Sequence, residues 1–142
     1  MLIGERRPSV STSVTAIPPA PSALAREHFA AEFTFETDCW DVHEALEKGA
    51  DFVLLDVRSP DSFAKGHVPG AVNLPHGKII ESKMAAWSKE TIFVTYCDGP
   101  HCNGAARGAL RLAQLGRPVK IMAGGIAGWL DEEFELKVAK LA

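Results

Sequence analysis

The sequence predicts an α/β fold, an open five-stranded parallel sheet with helices on both faces. Three observations carry this. Short apolar, β-rich runs alternate along the chain with segments of helical periodicity, the pattern of parallel strands joined by crossover helices. The run Phe52 to Val57 (FVLLDV) is almost continuously apolar, as in a strand buried on both faces. Gly49, Gly66 and Gly116 stand where helical periodicity stops, and glycine is the residue that tolerates a left-handed helix end.

The elements follow in order. A short helix is expected from residue 23, through Leu24, Arg26, Glu27 and His28. Phe33 and Phe35 alternate with polar neighbours, which reads as the first strand. Thr37 or Asp38 caps a helix from Cys39 to Lys48 with Val42, Ala45 and Leu46 as its apolar stripe. The second strand is Phe52 to Val57. Ser59 and Pro60 start a helix that Gly66 ends. Ala71 to Leu74 is a short strand, and Ile79 to Trp87 a weakly patterned helix. Thr91 to Tyr96 (TIFVTY) is the next strand. A loop follows from Cys97 to Gly104, then a helix over 105–115 with Ala106, Ala109, Leu110 and Ala113 on one face. Val119 to Met122 is the last strand. Gly124-Gly125 turns the chain into a helix carrying Trp129. Trp40 and Trp129 are expected in the core.

The chain has 142 residues, enough for one domain that buries roughly 68–70% of its unfolded surface. Residues 1–22 stand apart. They hold Pro8, Pro18, Pro19 and Pro21 and a Ser/Thr run from Ser9 to Thr15. Such a segment buries too little apolar surface to offset its ordering entropy. It is expected to be a mobile arm, with the folded domain over 23–142. An apolar fraction of 46% and a charged fraction of 23% are ordinary for a globular protein. The formal net charge of -3 carries no basic footprint for nucleic acid. No apolar run of about 18 residues suggests a membrane span. The N-terminus (MLIGERR) lacks an apolar stretch after its basic pair, so a cytoplasmic location is expected. Three cysteines are too few for a disulfide framework and suit a reducing compartment.

Chemistry is concentrated in the loop Cys97-Asp98-Gly99-Pro100-His101-Cys102-Asn103-Gly104. In open parallel sheets ligands bind beyond the carboxyl ends of the strands, and this loop sits at such an end. A cysteine nucleophile acts as thiolate and needs positive potential around it. Backbone N–H groups of a strand–loop–helix turn, with the helix dipole behind them, supply it. Gly99 and Gly104 permit the turns, and Arg107 adds a charge on the first helical turn. Such a cradle suits a thiolate, a persulfide or a bound oxyanion. Buried structural cysteine is the commoner alternative.

Over about residues 36–130 the chain resembles the rhodanese family. Leu54-Leu55-Asp56-Val57-Arg58 is similar to the family's first signature strand. Gly66-His67-Val68-Pro69-Gly70-Ala71-Val72-Asn73-Leu74-Pro75 matches its G-H-[IV]-P-G-A-x-N-[IL]-P segment. Tyr96-Cys97 resembles the strand end that presents a sulfur-carrying cysteine. Gly124-Gly125-Ile126 with Gly128-Trp129 matches the closing G-G-[IV]-x-x-W segment. The loop looks most like the single-domain group related to phage shock protein E. The resemblance implies a five-stranded parallel sheet and thiosulfate or another sulfane-sulfur donor as substrate.

One departure leaves two cysteines competing. The usual loop is C-x-x-G-x-[RS]. Counting from Cys102 gives C-x4-R ending at Arg107; counting from Cys97 gives a longer loop. Cys97 follows the strand directly and leaves a helix of three turns, which favours it as the carrier at the centre of the cradle. Cys102 would line the rim, resolve a persulfide or form a disulfide with Cys97. Asp98, Gly99, His101, Asn103, Gly104, Arg107 and Arg58 are the expected substrate-binding residues. Arg58 binds the anionic donor or pairs with a carboxylate. Asp56 supports the loop by accepting N–H bonds, or caps its own turn. His67 is expected to be structural and Cys39 inert. A zinc site from Cys97, Cys102, His101 and His76 matches no closed tetrahedral spacing, so no metal and no cofactor is expected.

The leading expectation is a sulfurtransferase that passes sulfur through a cysteine persulfide. Its partners would be a small sulfur-containing anion as donor and a thiol or protein thiol as acceptor. A non-enzymatic binding or sensor module is the alternative. A phosphatase or arsenate reductase on this fold would use C-x5-R. That arginine would fall at Asn103 counted from Cys97, or at Gly108 counted from Cys102.

Overall fold

The structure, a computed structural model, describes Val10 and residues 12–139. Of the segment expected as a mobile arm, residues 1–9 and 11 lie outside the described residues, as do 140–142 of the expected domain. The chain separates into two units, Met1–Ala31 and Glu32–Ala142. In the first, a turn closes by the Ala16 N–H donating to the Thr12 carbonyl at 2.8 Å. Helix α1 (Ser22–Phe35) begins in the first unit and ends in the second, and buries no residue.

The second unit holds a five-stranded parallel sheet. Its elements are β1 (Glu36–Asp38), α2 (Cys39–Glu47), β2 (Val53–Asp56), α3 (Pro60–Lys65) and β3 (Val72–Asn73). After them come a 3-10 turn (His76–Lys78), α4 (Glu81–Met84), β4 (Phe93–Tyr96), α5 (Gly104–Gln114), β5 (Val119–Ala123) and α6 (Gly125–Asp131). The strand order is β1-β5-β4-β2-β3. β4 thus lies centrally, paired Phe93 to Val119 on one side and Val53 to Phe93 on the other. All four β4 residues are buried, as a strand covered on both faces requires.

Strand alternation sorts the core into two layers. Leu55, Phe93 and Cys97 join Ile79, Met84, Ala105 and Leu112 on the α4–α5 face. Leu54, Val94 and Tyr96 join Val42, Met122 and Trp129 on the α2–α6 face. The expected helices on both faces are therefore present. Local chemistry sets their starts. Asp38 caps α2 by accepting the Asp41 N–H at 2.8 Å. Ser59 caps α3 by accepting the Ser62 N–H at 3.2 Å, with Pro60 behind it.

Four local expectations fail. On α5 the buried stripe is Gly104, Ala105, Gly108 and Leu112, while Ala106, Leu110 and Ala113 of the expected face are exposed. Phe33 and Phe35 lie in α1, and the first strand is the next three residues. Alternation over so short a span fits a helix end as well as a strand, and Ala30-Ala31-Glu32 are strong helix formers. Trp40 is 59% exposed rather than core. The inward stripe of α2 runs through Cys39 and Val42, and one residue is about 100° of helix rotation. The helix expected over Ile79–Trp87 shrinks to α4, because Ile80 is extended, with φ -130° and ψ 161°.

One glycine joins the sheet to the loop that follows β4. Gly125 has φ +57°, and a Cβ there would overlap the Cys97 carbonyl oxygen and lie 2.9 Å from the Gly99 nitrogen. Gly116 has φ +75° with open space around it. Alanine at Gly116 should cost about 1–2 kcal/mol for the left-handed conformation alone. At Gly125 the same strain adds to a backbone clash, for a total of roughly 3–5 kcal/mol. Urea unfolding of both variants checks this, and equal losses would show that the close approach is not rigid.

Candidate active site

The site forms at the carboxyl ends of β2 and β4. Asp56 ends β2 fully buried. Its Oδ1 accepts the Arg58 N–H and Nε–H, each at 3.0 Å. Its Oδ2 accepts from Arg58 Nη2 at 2.7 Å and from the Tyr96 hydroxyl at 2.7 Å. Arg58 reaches further, donating from Nη2 to the Gly66 carbonyl at 2.6 Å and from Nη1 to Asp98 Oδ1 at 3.1 Å. Tyr96 in turn accepts the Val68 N–H at 3.1 Å. Burial works against the Arg58 charge, but the hydrogen bonds and charge of Asp56 outweigh it, so the guanidinium is held above its ordinary pKa. Burial, reinforced by the Asp56 charge, pushes the Tyr96 phenol up, and it stays a donor.

Asp56 and Arg58 are tied to each other in this geometry. Asp56 caps its own turn, and it reaches the loop through Arg58 and Asp98 rather than through loop N–H groups. Arg58 is paired with two carboxylates. Asn73 fastens the same corner, donating from Nδ2 to the Asp56 and Arg58 carbonyls at 3.1 and 3.0 Å.

The loop is clamped from below by α6. The Ile126 N–H donates to the Cys97 carbonyl at 3.0 Å, and the Ala127 N–H to the Asp98 carbonyl at 2.8 Å. Inside the loop the Cys102 N–H donates to the Gly99 carbonyl at 3.1 Å. Cys97 and Cys102 are joined as a disulfide, their Cα atoms 6.4 Å apart. Cys97 is 5% exposed and packs on the α4–α5 core, while Cys102 is exposed. The Gly104 N–H, at the start of α5, donates to Cys102 Sγ at 3.4 Å. The N–H expected at Cys97 falls on Cys102, because the late loop turns back at Gly99. A Cβ on Gly104 would lie 2.8 Å from Cys97 Sγ and 3.4 Å from Cys102 Sγ.

Two cavities open on this pair. One, of about 410 Å³, is lined by Arg58, Cys97, Asp98, Cys102, Asn103 and Gly104, together with Ser59, the cap of α3, and Ser62. The other, of about 250 Å³, includes Gly99, Cys97 and Cys102. His101 and Arg107 line neither. His101 is exposed at the loop tip. Arg107 is exposed, with Nε donating to Asn103 Oδ1 at 3.1 Å. This corrects its expected place at the cradle: one turn into α5, its side chain leans back along the outer face. Ser59, Ser62 and His76 line the larger cavity without having been expected there as binding residues. The cap signal at Ser59 was legible, but its closeness to the loop is a tertiary fact.

The remaining expectations are structural. His67 is buried, stacked on Phe63 at 3.7 Å, with Nδ1 2.9 Å from the Phe63 carbonyl oxygen. Among the described residues, the one group of three possible metal ligands is Cys97, Asp98 and Cys102, within 4.8 Å of one another. It includes neither His101 nor His76, and two of its three ligand atoms are bonded together. No helix among the described residues is long and apolar enough to cross a membrane.

Two outcomes follow from this geometry. Removing the buried carboxylate in Asp56→Ala strands Arg58 and should cost roughly 3–5 kcal/mol. Tyr96→Phe leaves the Val68 N–H without its acceptor and should cost roughly 1–3 kcal/mol. Urea unfolding that reverses this order would count against Asp56 as the hub. Burial, then the charges of Asp38, Glu132 and Asp131, push the Cys39 thiol up to about 11. At neutral pH Cys39 is therefore a thiol and should resist iodoacetamide in the reduced protein, while the loop pair is labelled. Mapping the label by peptide mass checks it.

The sequence profile of the family described as Rhodanese-like domain matches residues 40–132. The HTH-type transcriptional regulator Rv0324 of Mycobacterium tuberculosis is 32% identical over 83 residues, covering 58% of this chain and 36% of the regulator. The chain thus spans little more than a third of that protein. The Thiosulfate sulfurtransferase GlpE of Pseudoalteromonas translucida is 31% identical over 86 residues, covering 61% of this chain and 79% of the relative. The solved structure of the BH2092 protein from Bacillus halodurans superposes with a TM-score of 0.80 at 36% identity, over 83% of this chain and 87% of that one. With the profile and the parallel sheet in agreement, this chain belongs to the rhodanese-like domain family.

Proposed function

We propose that the domain is a sulfurtransferase that moves sulfane sulfur from thiosulfate, or a related small anion, to a thiol or protein-thiol acceptor. The observation that carries this is the meeting of Cys97 and Cys102 in a cavity at the mouth of β4. In the reduced protein a loop thiolate attacks the outer sulfur of thiosulfate. The sulfur–sulfur bond of the donor breaks, sulfite leaves, and a cysteine persulfide remains. The acceptor then removes the outer sulfur and restores the thiolate.

Two features support Cys102 as the carrier, against the sequence argument for Cys97. It is the exposed sulfur of the pair, and a donor must reach the thiolate. It also accepts the Gly104 N–H at the start of an 11-residue helix, where the positive dipole end favours a thiolate. Asn103, Gly104, Arg58 and Asp98 line the cavity together with it. The phosphatase reading lacks its arginine, since Arg107 is turned to Asn103 outside both cavities.

The reduced protein should therefore form thiocyanate from thiosulfate and cyanide, and should leave aryl phosphates intact. Cys102→Ser should abolish thiocyanate formation and the sulfur adduct seen by mass spectrometry. Turnover by Cys102→Ser with a dead Cys97→Ser would return the carrier role to Cys97. Neither sulfur transfer nor an adduct in the wild type would favour the binding-module reading.

A further inference from the structure

Resting on the reading of Cys102 as carrier, we propose that Cys97 is a built-in resolving thiol, which makes the domain a sulfide-releasing enzyme driven by an external dithiol. Three observations meet here. The two cysteines are paired within this fold, five positions apart in the chain. Their exposures are opposite: Cys102 faces the solvent and Cys97 is 5% exposed against the core. Gly104 stands beside both, where a Cβ would lie 2.8 Å from one sulfur and 3.4 Å from the other. A side chain at that position would crowd the Cys97 sulfur and touch the Cys102 sulfur; glycine leaves that space open.

The chemistry follows from the asymmetry. A donor in the cavity meets Cys102 and loads it. The loaded persulfide has an outer sulfur toward solvent and an inner sulfur, the Cys102 Sγ, toward Cys97. Cys97 attacks that inner sulfur. The Cys97 Sγ–Cys102 Sγ bond forms, the bond between Cys102 Sγ and the outer sulfur breaks, and the thiol proton of Cys97 leaves with the outer sulfur as hydrosulfide. In balance, Cys97–SH and Cys102–S–S⁻ become the disulfide and HS⁻. The persulfide sulfur is reduced, and the two cysteines are oxidised by two electrons.

A dithiol closes the cycle. Its thiolate attacks the accessible sulfur of the disulfide, Cys102, and expels Cys97. Its second thiol then releases Cys102, leaving the dithiol oxidised. The Cys97–Cys102 disulfide is the form that this exchange returns to two thiols.

A single turnover tests this. The full chain is reduced, freed of reductant under anaerobic conditions, and given one equivalent of thiosulfate with no cyanide or added thiol. The wild type should release sulfite and hydrosulfide in equal amounts, carry no extra sulfur, and lose two titratable thiols to a Cys97–Cys102 disulfide. Cys97→Ser should release sulfite but no hydrosulfide, with the added sulfur mapped to Cys102. Should that variant fail to fold, the wild-type balance of sulfite, hydrosulfide and lost thiols still decides. A stable wild-type persulfide, with sulfite but no hydrosulfide, overturns the resolving role and leaves the sulfurtransferase reading intact. An adduct that survives in Cys102→Ser overturns the polarity assigned here. No sulfite at all overturns the sulfurtransferase reading itself.

Discussion

The corner of the fold that carries the site depends on one buried carboxylate. Asp56 is fully buried, and a bare charge there would be costly unless paired and hydrogen-bonded. Its carboxylate is held by two partners, Arg58 in the turn after β2 and Tyr96 in the central strand, and these in turn bond to the 66–68 segment, Arg58 at the Gly66 carbonyl and Tyr96 at the Val68 N–H. Arg58 then carries the same network to Asp98 in the loop. A hub of this kind contributes less to net stability than to uniqueness, because each group would be left unsatisfied in any other arrangement. The segment Gly66-His67-Val68 is held to the sheet in this way, although Val68 is fully buried and makes no regular strand.

The loop is held from the other side by backbone alone. The first N–H groups of α6 are donors that a helix cannot satisfy internally, and two of them take the Cys97 and Asp98 carbonyls. This needs α6 to start flush against the loop, which is why positive φ and a missing Cβ coincide at Gly125. The Gly124-Gly125 pair, some twenty residues after the loop in sequence, is thus a structural part of it. Together the two clamps fix Cys97 at the strand end and leave the later loop to fold back over it.

Much of this was legible in sequence, and the misses have definite causes. β2 and β4 declare themselves because they are buried on both faces, and their neighbours Asp56 and Cys97 were placed at strand ends accordingly. The caps at Asp38 and Ser59 follow from local hydrogen-bond chemistry. β1 was missed because Glu36-Thr37-Asp38 is a polar edge strand whose pairing with β5 is its main credential. Phe33 and Phe35 lent the alternation to the wrong side of that boundary. The site was legible as a set of residues and less so as an arrangement. That Arg58 would be drawn onto two carboxylates, and Arg107 onto Asn103, depends on distances that no spacing rule contains.

Those same pairings bear on how an anion would be recognised. Arg58 is the cation on the wall of the larger cavity, and its charge already faces Asp56 and Asp98. Arg107 points outward. The positive potential at Cys102 therefore comes mainly from the Gly104 N–H and the end of α5, a source of about half an elementary charge. A seven-residue phosphate loop would surround its anion with N–H groups and a guanidinium together, stabilising a highly charged transition state. Here one N–H at the start of α5 is directed at one sulfur. That suits a step whose charge passes from thiolate to persulfide and leaves with sulfite, where tight retention of the departing anion would slow turnover. For the proposed sulfurtransferase, this arrangement would favour the Cys102 thiolate and the departure of sulfite.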